Sequence, residues 1–520
     1  MVENMEQPIN NIVIVGGGSA GWMVASRLAA KHQASPQSKV TITLIESASV
    51  KPVGVGEGTW PSMRNTLKSM GISEAEFIRE CDATFKQGSK FNGWVSGEQS
   101  DSYYHPFILP QDFANINLLP HWQAIGQSTS FSNAVCFQEQ LCEHGLGPKQ
   151  ITTPEYAAVA NYGYHLNSGK FAALLQKHCL KKFSVKHIVD DVIKINSSKN
   201  GDISSVSTKK HGEIAGELFV DCTGFACLLL GEHLKVPFIN KHDTLFVDTA
   251  LAVHVPYEYE DSPISSVTQS TAAPAGWIWD IGLTNRRGVG HVFSSRHTSE
   301  DNAEIELRNY LGQFGKKMAN AQINKIKINA GYRSHPWEKN CVAIGLSAGF
   351  LEPLEASSLV QVELAADWLC DQLPVTRTSM DIISKRFNEA FIYRWARIID
   401  FLKLHYVLSK REDNQFWIEN RQPESIPDSL QQALTLWKYH YPWHHDSERS
   451  NEIFSSASYQ YILAGMGFRT QSHYLTSDEE NELAMKNFTT NQAITTKYLQ
   501  HLPKHRELLK NIKLYGFNSY

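Results

Sequence analysis

Apolar positions along the chain recur with two periods, and the switch between them marks out the elements. Asn11–Val15 is a short β-branched run; Gly16-Gly17-Gly18-Ser19-Ala20-Gly21 follows it, and then comes a helix-compatible stretch at residues 22–31. Residues 40–45 repeat the buried-strand pattern and end in Glu46, so the chain opens with a βαβ unit whose strands should run parallel. Further strand-like runs at residues 185–195, 217–221, 249–255, 277–283 and 288–293 alternate with helical segments such as 170–180, which predicts a mixed α/β body. Between residues 380 and 409, Ile383, Phe387, Phe391, Trp395, Ile398 and Leu402 recur at steps of three and four. That spacing lines one face of a long helix, and the last third of the chain reads as mainly helical.

Composition narrows the function classes. The 520 residues are 42% hydrophobic and 20% charged, enough apolar material for a sizeable core. Lys+Arg 49 against Asp+Glu 53 leaves a net charge of −4, so no basic field invites nucleic acid. Residues 1–10 are polar and the apolar run from Ile12 breaks at Gly16, so no secretion signal is visible. Apolar stretches such as 341–351 are too short for a membrane span, and a cytoplasmic protein is expected. The eight cysteines form no C-x-x-C pair and no metal-ligand spacing, so they read as buried thiols. His440, His444, His445 and Asp446 have helix-face spacing for a metal, but Pro442 interrupts that helix and no metal is expected.

Candidate chemistry begins at the glycine turn. Gly16-x-Gly18-x-x-Gly21 follows a strand and opens a helix, the arrangement that lets backbone approach a pyrophosphate at a helix N-terminus. Glu46, ending the next strand, supplies a carboxylate for ribose hydroxyls. Leu218-Phe-Val-Asp221-Cys-Thr-Gly224 delivers an acid and a glycine turn, and resembles the middle motif of FAD-dependent oxidoreductases.

Four separated segments then resemble the flavin-dependent tryptophan halogenases: Gly54-Val-Gly-Glu57-Gly-Thr-Trp-Pro61, Phe85-Lys-Gln-Gly-Ser-Lys90-Phe-Asn-Gly-Trp94, Gly276-Trp277-Ile-Trp279-Asp-Ile281, and residues 343–355, ending Pro-Leu-Glu355. The likeness runs from about residue 10 to about residue 410. It implies a Rossmann-like, doubly wound FAD domain of the flavoprotein monooxygenase type, with a mainly helical C-terminal region completing the substrate pocket. On this reading residues 1–375 form the FAD-binding and catalytic region, with insertions at about 95–165 and 240–330, and residues 376–520 the helical region; the lack of a linker suggests one compact unit.

The resemblance also assigns roles. Lys90 matches the lysine that takes up hypohalous acid, as a hydrogen-bond donor or as a haloamine, and Glu355 matches the glutamate that orients the electrophile and meets the cationic ring. Ser357 and Ser358 stand where backbone amides hold halide, Ser358 replacing a glycine of some members. Gly16 to Gly21, Glu46, Ser47, Val50, Glu57, Gly58, Val189, Asp221, Leu346 and Leu359 make up the implied FAD contacts. Trp277 and Trp279 belong to a W-x-W-x-I-P signature that keeps substrate off the flavin, although Gly282 stands where proline is expected. His105 and Phe107 match an aromatic pair flanking the substrate ring, and Phe454 stands where the family usually has tryptophan.

The resemblance implies tryptophan, indole or a related electron-rich aromatic as substrate; near the C-terminus the paired tyrosines by which tryptophan-specific members grip the amino-acid part are missing, so a pocket suited to indole, a substituted indole or another electron-rich arene is expected. The implied reaction consumes FADH2 delivered by a separate flavin reductase, oxygen, and chloride or bromide; a homodimer is compatible with it. Two other readings compete: an FAD monooxygenase that hydroxylates its substrate directly, and a flavin-binding protein without catalysis. Lys90 with the two indoles speaks against the first, and Lys90 with Glu355 against the second.

Overall fold

A computed structural model describes residues 8–33, 37, 39–50, 56–98, 100–126, 129–315, 321–446, 449, 452–472 and 477–517. Two compact units interleave along the sequence: Met1–Cys81, Leu166–Lys241 and Asn329–Trp395 form the first, and Asp82–His165, His242–Ile328 and Ala396–Tyr520 the second.

The first unit is built on a six-stranded sheet ordered Trp337–Glu338, Cys341–Ala343, Leu218–Asp221, Asn11–Val15, Thr41–Glu46, Val185–Val189. All neighbouring strands run parallel except the Trp337–Glu338 edge. Ile12 to Val15 are buried without alternation, as expected of a strand covered on both faces. Helix Ser19–His32 buries Trp22, Met23, Val24 and Leu28 and packs against helices Ser168–Lys182 and Ser357–Asp371; each such side chain contributes about 1.5–3 kcal/mol of burial. Arg27 and Lys31 pair with Asp367 and Asp371 of the last helix.

The single strand expected at residues 185–195 is two. Val185–Val189 closes the parallel sheet, whereas Val192–Ser197 belongs to an antiparallel trio with Ile203–Thr208 and Gly212–Ala215. Asp190 makes the break: its carboxylate accepts hydrogen bonds from the Lys210 and His211 backbone N–H groups at 2.7 and 3.1 Å and turns the chain out of the sheet. Hydrophobic periodicity could not show this, because both halves carry apolar residues.

A seven-stranded sheet forms the second unit, ordered Asn324–Lys327, Thr249–Pro256, Arg286–Phe293, Gly276–Gly282, Thr268–Ala273, Gly88–Asn92, Ser102–Pro106. Only the Thr268–Ala273 and Gly88–Asn92 pair is parallel. Helix Glu300–Leu311 packs Ala303, Leu307 and Leu311 onto Leu251, Val253 and Val289 of the sheet. The mainly helical C-terminus appears as expected, with Ser456–Gly465, Asp478–His501 and His505–Tyr515 among its helices. A reciprocal cap at Ser477 and Glu480 starts the longest of these three. The long apolar-faced helix spans Arg377–Val407, with Phe387, Phe391, Trp395, Ile398 and Leu402 buried.

Candidate active site

In the first unit the carboxyl ends of the parallel strands share one edge of the sheet, since Val15 is in register with Ile45 and Asp221, Glu46 with Val189, and Asp221 with Ala343. Open α/β sheets bind nucleotides along such an edge. Gly16 has φ +115°, and a Cβ there would lie 2.1 Å from the Cys222 carbonyl oxygen; a Cβ on Gly21 would lie 1.9 Å from the Gly16 oxygen. The turn can therefore close only with glycine at both places. A Cβ on Gly18 would meet nothing within 4 Å, so open space lies over that position at the helix N-terminus. The Glu46 carboxylate accepts from His187 Nε2 at 2.7 Å and Gln176 Nε2 at 3.0 Å, and its other oxygen lies over Gly17. A glycine cradle with an adjacent carboxylate fits the phosphates and ribose of a dinucleotide.

Around this cradle, Ser19 lies in the first turn of the helix with Ala20, Ser47 hydrogen-bonds Asp191 at 2.5 Å, and Val50 and Val189 are exposed. Glu57 and Gly58 sit on the short strand Gly56–Gly58, and burial pushes the Glu57 carboxyl up to about 7 against a hydrogen bond from Ser168. Residues 51–55, including Gly54 of the same motif, lie outside the described residues. Asp221 differs from a simple cofactor contact. Its buried carboxylate accepts from Thr223 N and Oγ1 at 3.0 and 2.6 Å, Leu229 N and Leu230 N at 2.8 and 2.9 Å, and Ser347 Oγ at 3.1 Å. It thus clamps the loop after its strand to the turn Gly345–Ser347, which also carries Leu346.

Glu355 lies in the loop entering helix Ser357–Asp371. Glu355 and Ala356 both adopt left-handed backbone, φ 62° and 54°, a conformation that costs non-glycine residues about 1–3 kcal/mol each. The Trp60 indole N–H donates to the Glu355 carbonyl at 2.8 Å, tying two of the separated motifs together. Ser357 and Ser358 begin the 15-residue helix, where backbone N–H groups have no intrahelical acceptor, and Leu359 is buried behind them. A cavity of about 20 Å³, room for one water-sized occupant, is lined there by Phe350, Glu352, Ser357, Ser358, Gln361 and Trp395. Gln361 follows Ser357 by one helical turn, and its buried amide has no hydrogen-bond partner among the described residues. This residue was absent from the sequence reading, although its spacing from Ser357 could have flagged it.

The second unit holds the other matched positions. Lys90 stands on strand Gly88–Asn92 with its side chain 19% exposed. Its ammonium donates to Glu143 Oε1 at 2.6 Å and lies 5.2 Å from the centre of the Tyr104 ring, and the Tyr104 hydroxyl donates to the same oxygen at 2.5 Å. Nothing in the sequence pointed to Glu143, because its approach to Lys90 depends on tertiary folding. Trp277 and Trp279 lie on one face of strand Gly276–Gly282 and are both buried. Trp277 packs 6.2 Å from Trp94, while Trp279 fills the space over Gly290 of the neighbouring strand. Buried Asp280 faces the other way and binds Arg287 through both oxygens. At Gly282 a Cβ would come within 2.8 Å of Ile264 and 3.1 Å of the Tyr257 hydroxyl, so close neighbours occupy the space a proline ring would need.

His105 packs 5.5 Å from Phe401, which stacks on Phe454 at 3.7 Å, so two of the three expected substrate aromatics meet through a residue not anticipated. Phe107 is placed differently, with Lys86 Nζ 5.3 Å from its ring centre. The histidine cluster is dispersed into structural contacts: His444 stacks on Trp443, and Asp446 accepts from the Trp437 indole at 2.7 Å. Among the described residues no three His, Cys, Asp or Glu side chains gather to hold a metal, and no helix is long and apolar enough to cross a membrane.

Known proteins bring this geometry into focus. The tryptophan halogenase family pattern matches residues 11–481. The tryptophan 6-halogenase SttH of Streptomyces toxytricini is 33% identical over 482 residues, 88% of this chain and 89% of its own. RebH, the tryptophan 7-halogenase of Lentzea aerocolonigenes, is 29% identical over 89% of this chain and 90% of its own. Among solved structures, a tryptophan halogenase from Shewanella frigidimarina superposes with a TM-score of 0.97 at 49% identity, covering 99% of this chain and all of that one. With the sheet edge and the glycine cradle in place and these similarities beside them, the chain belongs to the tryptophan halogenase family of flavin-dependent enzymes.

Proposed function

We propose that this flavin-dependent halogenase transfers an oxidised halogen to an electron-rich aromatic ring, with Lys90 and Glu355 as its catalytic residues. The observation that carries the reading is Lys90 itself: a largely enclosed ammonium on a sheet strand, packed over Tyr104, is of little use for packing alone and well suited to holding a small oxidant. Reduced FAD, when bound, supplies the electrons by which oxygen is activated and halide becomes hypohalous acid. Gly16 to Gly21 and Glu46 hold its phosphates and ribose, Ser47, Val50, Glu57, Gly58, Val189, Leu346 and Leu359 border it, and Asp221 acts through the loop it clamps. The Ser357 and Ser358 amides at the helix N-terminus bind halide. Lys90 takes up the hypohalous acid, as a hydrogen-bond donor or as a haloamine, and the Glu355 carboxylate orients the halogen and stabilises the cationic ring. Trp277 and Trp279 fill space with indole bulk that keeps substrate from the flavin.

For the substrate we favour indole, a substituted indole or a related arene. The relatives named above are halogenases of tryptophan, whereas here Phe401 and Phe454 form a stacked apolar pair beside His105, suited to grip by burial and stacking. A separate flavin reductase delivers FADH2, the enzyme works in the cytoplasm, and a homodimer is compatible with these roles.

The test supplies FAD, NADH, a flavin reductase, bromide or chloride and a panel of arenes, and reads halogen isotope patterns by mass spectrometry. Wild type should give halogenated product; Lys90→Ala should give none while still oxidising flavin and releasing peroxide. Hydroxylated product with no halogenated species would refute the proposal in favour of direct monooxygenation.

A further inference from the structure

Lys90 has a partner that the reaction has not yet used. Its neighbours can be named from each side: Tyr104 is its register partner on strand Ser102–Pro106, uncharged Gln269 is its register partner on the parallel strand, and Glu143 ends the helix Gln138–Glu143. One Glu143 oxygen receives both the Lys90 ammonium, at 2.6 Å, and the Tyr104 hydroxyl, at 2.5 Å. Glu139, on the same helix as Glu143, turns its carboxylate to the hydroxyls of Ser130 and Ser132 yet still feels the charges of Lys90 and Glu143, and His144, next in sequence, acts electrostatically on Glu143.

We propose that Glu143 is a positioning residue that keeps Lys90 an ammonium and aims its two remaining N–H groups, so that the hypohalous acid is held by hydrogen bonds rather than converted to a haloamine. This rests on the function proposed above. A haloamine requires a free lone pair on nitrogen, and a carboxylate in contact with the ammonium disfavours its loss of a proton. Glu143 is a poor base for removing that proton. Burial works against its anion, yet the hydrogen bonds from Lys90 and Tyr104 and the Lys90 charge hold it below the usual carboxylate range. The Tyr104 phenol, pushed far up chiefly by burial, stays protonated and serves only as a donor. The carboxylate thus holds the lysine head group in one place while the oxidant arrives.

The test measures halogenated product per flavin oxidised as a function of pH, in the holoenzyme with its reductase. Glu143→Gln removes the charge and keeps the shape. Its alkaline limb should move to lower pH by roughly half to one unit, a three- to tenfold loss of coupling on that limb, with peroxide release rising in step. Glu143→Asp keeps the charge but withdraws it, and should shift the limb in the same direction by less; it also serves where Glu143→Gln does not fold. Superimposable profiles for wild type and both variants would overturn the proposal. Wild type that halogenates beside unchanged variants removes only the role of Glu143, whereas wild type that never halogenates removes the function beneath it.

Discussion

The helix that carries Ser357 and Ser358 also carries a buried acid whose titration should be measurable. Glu363 is 2% exposed and accepts hydrogen bonds from Thr66 Oγ1 at 2.5 Å and Ser62 Oγ at 3.2 Å. Burial, opposed by those hydroxyls, pushes its carboxyl from the ordinary 4.5 up to about 8. Between those values the folded protein keeps a proton that the unfolded chain has released, so this group's contribution to stability falls as pH rises from about 4.5 and is fully lost above about 8. At 1.36 kcal/mol per unit, the shift amounts to about 5 kcal/mol. Glu363→Gln keeps an oxygen for Thr66 and a donor for Ser62 but cannot ionise. Melting the FAD-free proteins from pH 5 to 8.5 at constant salt should show wild type losing stability relative to the variant, by roughly 4 °C if the chain melts cooperatively. Parallel melting curves across that range would refute the buried-acid argument, because a carboxyl ionised throughout would leave no difference to titrate.

Two further outcomes follow from contacts nearer the site. In Gly290→Val the new Cβ would lie 2.1 Å from the Trp279 ring, so the indole must leave its place; a loss of at least about 1–3 kcal/mol in chemical denaturation and a red-shifted or broadened tryptophan emission are expected. Trp60→Phe retains the ring but removes the 2.8 Å hydrogen bond to the Glu355 carbonyl, worth about 1 kcal/mol. With that loop less firmly held, kcat for halogenation should fall several-fold while FAD affinity, measured by flavin fluorescence, stays the same.

The parts that were legible from sequence are those written in local pattern. Asn11–Val15 is a strand with the bounds its β-branched run predicts, and the apolar steps from Phe387 to Leu402 mark the buried face of one helix. The carboxylate of Glu46 does reach the glycine turn, since the spacing of a βαβ unit fixes where the second strand ends. What stayed hidden depends on chain segments far apart in sequence. Asp190 divides an apparently continuous strand by capturing amides of Lys210 and His211. Phe401 comes between His105 and Phe454, although these lie on segments remote from one another in sequence. Glu143 reaches Lys90 across 53 positions of chain, and neither residue type nor spacing announces such a meeting.

The space beneath Trp279 is borrowed from the strand alongside, where Gly290 contributes no side chain. The two positions therefore share a steric allowance, bounded on its other side by the Leu251 carbonyl oxygen, which would lie 2.7 Å from a Cβ at 290. In a descending lineage, enlargement at 290 becomes tolerable only after residue 279 has shrunk, while a smaller residue at 279 would open a hollow that a bulkier neighbour could fill. Substitutions at these positions are expected to arrive in pairs and in a fixed order, a historical signature left by packing alone.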